Sequence, residues 1–228
     1  MSRTSLISRL ASCQPAAFRK PAPQRPAHGR PSRATVARRL AAATAAVAYG
    51  LEARWALRQR HRNRSRPPQP LAEDRRSTYV VLAALTLGHV GAAALLRRSG
   101  TARLTGDRAA NTLIALPGVW AGLALRHWAV ASLGEHFRST VDLRPGQPVV
   151  RTGPYRYLRH PSYAGGLIVI ACAGFCLDHL PAHLVLTGGA LAGSLYRIHA
   201  EDTVLTSALG ADYADYAART ARLIPGIW

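Results

Sequence analysis

The apolar run Ser77–Leu96 constrains this chain more than any other feature, because it is about as long as the roughly 20 residues that cross a bilayer and is broken only by His89. In hydrocarbon the backbone must satisfy its own hydrogen bonds, and a single run can do so only as a helix. Arg97 and Arg98 close it. Ala109 to about Leu125 reads as a second span with Pro117 as a kink, and Arg126, His127 and Trp128 then mark the membrane interface. Pro161 opens a third run, Ser162–Leu177, and after the break Asp178–His179–Leu180–Pro181 a fourth reaches Tyr196. So short a connection predicts a helical hairpin. Gly188, Gly189, Ala192 and Gly193 recur at helical spacing on its second arm, where small residues let two backbones approach closely. Leu40–Leu57 is alanine-rich but carries Glu52 and Arg54, so its continuous apolar part is short for a span. The expected fold is an all-α, polytopic membrane protein with four or five transmembrane helices, a C-terminal helical hairpin and a cytoplasmic cofactor-binding region.

Charge and hydrophobicity occupy different segments. The 228 residues are 48% hydrophobic yet carry a formal net charge of +19. Residues 1–39 are rich in Arg, Pro, Ser and Ala, lack acidic residues and show no apolar period, which predicts a disordered basic arm. Its composition also suits a targeting segment, or sequence upstream of a mis-called start in a GC-rich bacterial gene. Residues 40–76 form a weak helix followed by an Arg-rich, proline-containing linker, Arg58–Arg76, and residues 77–228 form the membrane domain. The hairpin turn at 178–183 has neither Lys nor Arg while both hairpin ends do, so 126–161 and 197–228 share the cytoplasmic side. The arginines of the loop 97–108 fall on the wrong side of this count. Either a span is misassigned or the loop is a tolerated exception.

Strong basicity raises nucleic acid binding, but the basic residues flank apolar spans and no zinc-finger, helix-turn-helix or RNA-binding-sheet signature is present. Cys13, Cys172 and Cys176 form no metal-type spacing, and the last two lie inside an apolar helix as small core residues; no metal is expected. There is no Gly-rich phosphate loop, Ser-His-Asp order, zinc helix motif or G-x-G-x-x-G turn.

Two polar clusters remain. The first, Gly153-Pro154-Tyr155-Arg156-Tyr157-Leu158-Arg159-His160-Pro161-Ser162-Tyr163, leads into the hairpin. Arg159 and His160 precede a proline at the first helical turn, where exposed N–H groups and the dipole favour an anion. Tyr163 is one turn from His160, and Gly165 and Gly166 leave room for a ligand along the backbone. An interfacial belt of Tyr and Arg explains the same residues equally well. The second cluster, Arg197-Ile198-His199-Ala200-Glu201-Asp202, follows the last apolar run. A continuing helix pairs Arg197 with Glu201 at i and i+4, either as a solvated helix end or as the charges that a cationic cofactor and an anionic substrate require together. Further on, Tyr213 and Tyr216 share a helical face able to cover a pocket, and the apolar end at Trp228 suits the membrane surface.

Taken in order, Leu133-Gly134 with Phe137, Gly153-Pro154-Tyr155-Arg156, Arg159-His160-Pro161-Ser162-Tyr163-Ala164-Gly165, Arg197 with Glu201-Asp202 and Leu205, and Gly210, Tyr213, Tyr216 and Arg222 through Pro225 resemble the integral-membrane isoprenylcysteine carboxyl methyltransferases and their phospholipid methyltransferase relatives. The resemblance covers roughly residues 120–228. It implies methyl transfer from S-adenosylmethionine to a lipophilic small-molecule or prenylated acceptor, at a site facing the cytoplasm from a membrane, the plasma membrane in a bacterium. It further implies cofactor contacts by Tyr155, Arg159, His160, Tyr163, Gly165, Glu201 and Asp202, with Arg197 and Glu201 as the catalytic pair and Arg197 orienting the acceptor. The family usually has two glutamates where this chain has Glu201-Asp202, which leaves the reach of the shorter carboxylate open. A competing expectation is a non-enzymatic membrane protein that binds anionic lipid through its basic arm.

Overall fold

The computed structural model describes residues 31–65, 72–98, 102–134, 148–226 and 228. Most of the expected basic arm, Cys13 and Phe137 lie outside the described residues. Ser32–Trp228 forms one unit. Its regular structure is helical: α1 is Arg33–Ser65, α2 Ala72–Arg98, α3 Arg108–Leu133, α4 Pro161–Phe175 and α5 Leu180–Arg219, with a short 3-10 turn at Gly153–Arg156. Arg75–Arg98 and Arg108–Leu133 are long and apolar enough to cross a membrane.

Helix boundaries follow local chemistry. The backbone N–H of Thr35 donates to Ser32 Oγ at 3.2 Å, so α1 starts with a serine cap at the end of the segment expected to be disordered, and Arg33–Arg39 are helical. The expected linker Arg58–Arg76 is likewise shorter. The Arg- and Gln-containing stretch 58–65 continues α1, and 72–76 already belongs to α2. Long unbranched polar side chains are good helix formers, and the first residues that forbid a helix here are Pro67 and Pro68. Asp107 caps α3 by accepting from the Ala110 N–H at 2.9 Å. Pro117 sits inside α3 without ending it, and the helix runs past the expected limit at Leu125 to Leu133. Gly210, with φ 55 and ψ −128, interrupts α5 and turns its last two turns in a new direction.

The main packing contacts run α2 on α5, α5 on α4, α4 on α3 and α3 on α1. Glycine makes two of these contacts close. A Cβ at Gly165 of α4 would stand 2.6 Å from the Gly122 carbonyl oxygen of α3, and one at Gly189 of α5 would stand 2.8 Å from the Ala84 carbonyl oxygen of α2. Such approaches give helices dispersion contacts in a solvent that supplies no hydrophobic drive. Large apolar side chains face outward along these helices, among them Leu82, Leu87 and Val90 of α2 and Ile114 and Trp120 of α3. For the first arm of the hairpin, α3 fills the room that Gly165 leaves.

The hairpin turn is tied to the loop before α3. Asp178, at φ 53, accepts from the backbone N–H of Thr105 at 2.9 Å, from that of Gly106 at 3.2 Å and from buried Asn111 Nδ2 at 3.0 Å. Arg108 reaches the Leu177 carbonyl at 2.9 Å. The described part of the arginine-bearing loop therefore lies beside the hairpin turn, at the end of α4 away from His160.

Gly165→Ala is expected to destabilise the protein by about 1–3 kcal/mol, because a backbone carbonyl must give way. Gly166→Ala meets nothing within 4 Å and should be neutral or slightly stabilising. Thermal unfolding of the two detergent-solubilised variants checks the contrast.

Candidate functional site

Pro161 sets the first turn of α4, and His160 stands at the N-cap with its backbone carbonyl accepting from the N–H of Tyr163 and of Ala164, each at 3.1 Å. The His160 ring makes no capping bond and turns instead towards α5. There Arg197, Glu201 and Asp202 lie on one uninterrupted helix, well past the apolar run that ends at Tyr196. Beyond the Gly210 break, Tyr213 and Tyr216 fold back towards the same place. The tail then runs beside the approach to α4: the Arg159 N–H donates to the Ala221 carbonyl at 2.8 Å, and the His160 N–H to that of Arg222 at 3.1 Å.

These elements assemble one buried polar network. Glu201 Oε1 accepts from the Tyr163 hydroxyl at 2.5 Å and from Arg197 Nε at 2.9 Å, while Oε2 lies 3.5 Å from His160 Nδ1. Asp202 Oδ1 accepts from His160 Nε2 at 2.8 Å and from the Tyr213 hydroxyl at 2.5 Å, and Oδ2 accepts from Arg222 Nε at 3.0 Å. Tyr216 donates to the carbonyls of Tyr155 at 2.9 Å and Leu158 at 3.3 Å. Arg197 and His160 are each only 5% exposed, so this is no solvated helix end.

The titration of the group follows from burial and pairing. Burial alone disfavours a charged His160, but hydrogen bonds to Asp202 and Glu201 outweigh it and raise the imidazole above its usual value. With an acceptor at each ring nitrogen, the doubly protonated imidazolium satisfies both. Burial likewise opposes ionisation of Glu201 and Asp202; donors from His160 to both, with Tyr163 and Arg197 for one and Tyr213 for the other, overcome it and hold both carboxyls below their ordinary range. Tyr216 is pushed up to about 12 by burial. Tyr155 and Tyr213 are raised by burial too, the first also by Tyr216 and the second by Asp202, so all three are neutral at physiological pH.

Arg197, Glu201, Asp202, His160 and Tyr163 are thus brought into direct contact. Arg159 stands beside them, its charge felt by Asp202 and Tyr213, and its buried Nε has no hydrogen-bond partner among the described residues. Tyr155 is buried behind the Tyr216 hydroxyl that holds its carbonyl. Gly165 faces α3 and meets Gly122 and Arg126. Sequence reasoning missed two sets of partners. Arg197 NH1 donates to Ser77 Oγ at 2.6 Å and to Thr78 Oγ1 at 2.9 Å, both at the start of the first clear span. Arg126 links Glu52 of α1, at 2.7 Å, to Ser162 of α4, at 2.8 Å. The available signal was the placement of hydroxyls and of a lone carboxylate at the ends of apolar runs.

Residues 113–207 match the family described as the isoprenylcysteine carboxyl methyltransferase (ICMT) family. These residues form a domain similar to this methyltransferase family. That domain contains α4 and the Arg197–Asp202 part of α5, whereas Ser77, Thr78, Tyr213 and Arg222 lie outside the matched residues. The family is membrane-associated, in keeping with the two apolar helices. The chain is also 36% identical over 53 residues to YpbQ of Bacillus subtilis (strain 168), described as an uncharacterized protein, a match covering 20% of this chain and 32% of that relative.

A raised His160 in the fold, against about 6.5 in the unfolded chain, stabilises fully below about pH 6.5, and the contribution disappears as pH climbs through the folded value. The melting temperature in detergent should therefore decline above about pH 6.5. His160→Gln should flatten that decline, and an unchanged pH profile in the variant would show that His160 is not its source.

Proposed function

We propose that the chain is an S-adenosylmethionine-dependent methyltransferase of the isoprenylcysteine carboxyl methyltransferase type, acting on a lipophilic acceptor that carries a carboxylate. The observation that carries this reading is the buried contact of Arg197, Glu201 and Asp202 with His160 and Tyr163 inside a methyltransferase-family domain. The residues suit the donor chemically. S-adenosylmethionine bears a cationic sulfonium and ammonium together with a carboxylate, and the adjacent acidic pair matches the first two. The buried Arg159 Nε, a donor without a partner among the described residues, matches the third. Tyr155, Arg159, His160, Tyr163, Glu201 and Asp202 would hold the donor, and Gly165 would act by seating α4. When bound, S-adenosylmethionine supplies the methyl group on a good leaving group.

The protonation states argue for a carboxylate acceptor. A phenol or amine needs a base to take its proton, and His160 and Glu201 are the nearest candidates. Pairing with a carboxylate at each ring nitrogen favours the protonated form of His160, and the oxygens of Glu201 are engaged by Tyr163, Arg197 and His160. A carboxylate needs no base. The task left to the protein is orientation, with Arg197 as the group that faces the acceptor's charge.

For topology, we read the spans as four or five, with the site on the cytoplasmic face, in a bacterium that of the plasma membrane. The arginines at both hairpin ends support that side. A non-enzymatic lipid-binding role is not favoured by the family match.

Calorimetry on the purified protein in detergent should show S-adenosylmethionine binding, and Arg159→Ala should weaken it by about ten- to a hundredfold through loss of a charge-assisted hydrogen bond. Incubation with membrane lipid extract and methyl-labelled cofactor should yield a product heavier by one methyl in mass spectrometry. A parent protein that neither binds the cofactor nor labels any extract would sink the reading.

A further inference from the structure

The first turn of α4 carries two of the donors that Glu201 and Asp202 need, His160 and Tyr163, yet it starts without the usual local restraint. A helix start is ordinarily fixed by a side-chain cap at the residue before it. Here that residue is His160, whose ring makes no capping bond because it is turned to the two acids. The turn is held from outside instead. On one side stands the tail, which takes the Arg159 and His160 amides. On the other stands Arg126 of α3, which donates from Nη1 to Ser162 Oγ at 2.8 Å. Its backbone lies against the same turn, since a Cβ at Gly165 would stand 2.8 Å from the Arg126 nitrogen and 3.0 Å from its Cβ.

Arg126 is in turn held by α1. Glu52 takes both of its remaining donors in a fork, Nε at 2.7 Å and Nη2 at 3.1 Å, a geometry that fixes the plane of a guanidinium as well as its position. Glu52 is the single acidic residue in the sequence of α1, an arginine-rich helix that lies outside the family-matched residues, whereas Arg126 and Ser162 lie inside them. Arg126 is 27% and Glu52 39% exposed, and an ion pair so placed adds little to stability by itself. Its distinct effect is direction: with the guanidinium plane set by Glu52, Nη1 points at Ser162, two residues from His160 and next to Tyr163.

We propose that Glu52 and Arg126 are positioning residues through which α1 holds the first turn of α4, and with it His160 and Tyr163, in register with Glu201 and Asp202. The proposal rests on the methyltransferase reading for what that turn binds, and adds to it a helix outside the matched domain.

The experiment compares the parent in detergent with Glu52→Ala, Glu52→Gln, Ser162→Ala and the Glu52→Ala, Ser162→Ala double variant. The calorimetric Kd for S-adenosylmethionine should rise about three- to tenfold in each alanine variant and no further in the double one, because both substitutions break the same chain of contacts. Glu52→Gln, which keeps a neutral acceptor for Arg126, should fall between the parent and Glu52→Ala. A second readout needs no cofactor. His160 faces Glu201, Asp202 and the Tyr163 ring, with Arg197, Arg222 and Tyr213 on the same two acids and Arg159 beside Asp202. A loosened turn uncouples the imidazole from those acids, so the decline in melting temperature above about pH 6.5 should flatten in Glu52→Ala as in His160→Gln. An unchanged Kd in the single variants, or losses that add in the double one, would overturn the proposal. So would a lower melting temperature with Kd and pH profile unmoved, the mark of a merely structural contact. A parent that binds no cofactor overturns the methyltransferase reading, and the pH profile then decides this inference: a flattened profile in Glu52→Ala upholds the link from α1 to the His160 turn, and the parent's profile overturns it.

Discussion

Two carboxylates side by side on one helix, buried beyond the last apolar turn, set the demand that the rest of this end of the helices answers. Glu201 and Asp202 are neighbours in sequence and repel, and burial removes the water that would otherwise screen them. Each survives ionised because donors arrive from elsewhere: His160 to both, Tyr163 and Arg197 to the first, Tyr213 and Arg222 to the second. Removing any one partner leaves a buried charge uncompensated, which is why such networks are costly to break even where their net contribution is small. The start of α4, the middle of α5 and the tail after Gly210 converge for this reason.

The same demand explains the unusual features of the C-terminal tail. A helix that simply ran straight from Leu180 would carry Tyr213 and Arg222 away from Asp202. Gly210, free of a Cβ and able to adopt φ 55, turns the last part of α5 back. The bridge between Leu158 and Ala221 then fixes the tail beside the approach to α4. The shorter side chain of Asp202 costs no reach, because the returning Tyr213 and Arg222 come to it. At the far end of α4 the pattern repeats with a single acid: Asp178 collects the Thr105 and Gly106 amides and Asn111, and ties the loop before α3 to the hairpin turn. Between these two polar ends the helices touch through glycines and present apolar side chains outward, as a lipid environment favours.

Much of this was legible along the chain. The apolar runs gave four of the helices, the Asp178–Pro181 break gave the hairpin, and the order of Arg159, His160, Tyr163, Arg197, Glu201 and Asp202 gave the resemblance that residues 113–207 bear to the family and the polar residues that come together. Boundaries were less so. Arg58–Ser65 looks like linker by charge, yet charge does not break a helix and the next proline is Pro67. Gly165 looked like space for a ligand, whereas the partner that uses the space is the backbone of Gly122, a contact that no local pattern announces. Ser77 and Thr78 were invisible as partners of Arg197 because it is some 120 positions away.

What the sequence determined alone is the set of chemical groups and the elements that carry them, since periodicity, caps and prolines act over a few residues and need no knowledge of the fold. What only the tertiary structure decided is which of those groups neutralise one another. Burial of Glu201 and Asp202 makes their partners obligatory, but the partners come from an earlier turn of α5, from the N-terminus of α4 and from a tail reversed at Gly210. Hydrogen bonding reaches only about 3 Å, so their identity is a property of helix packing.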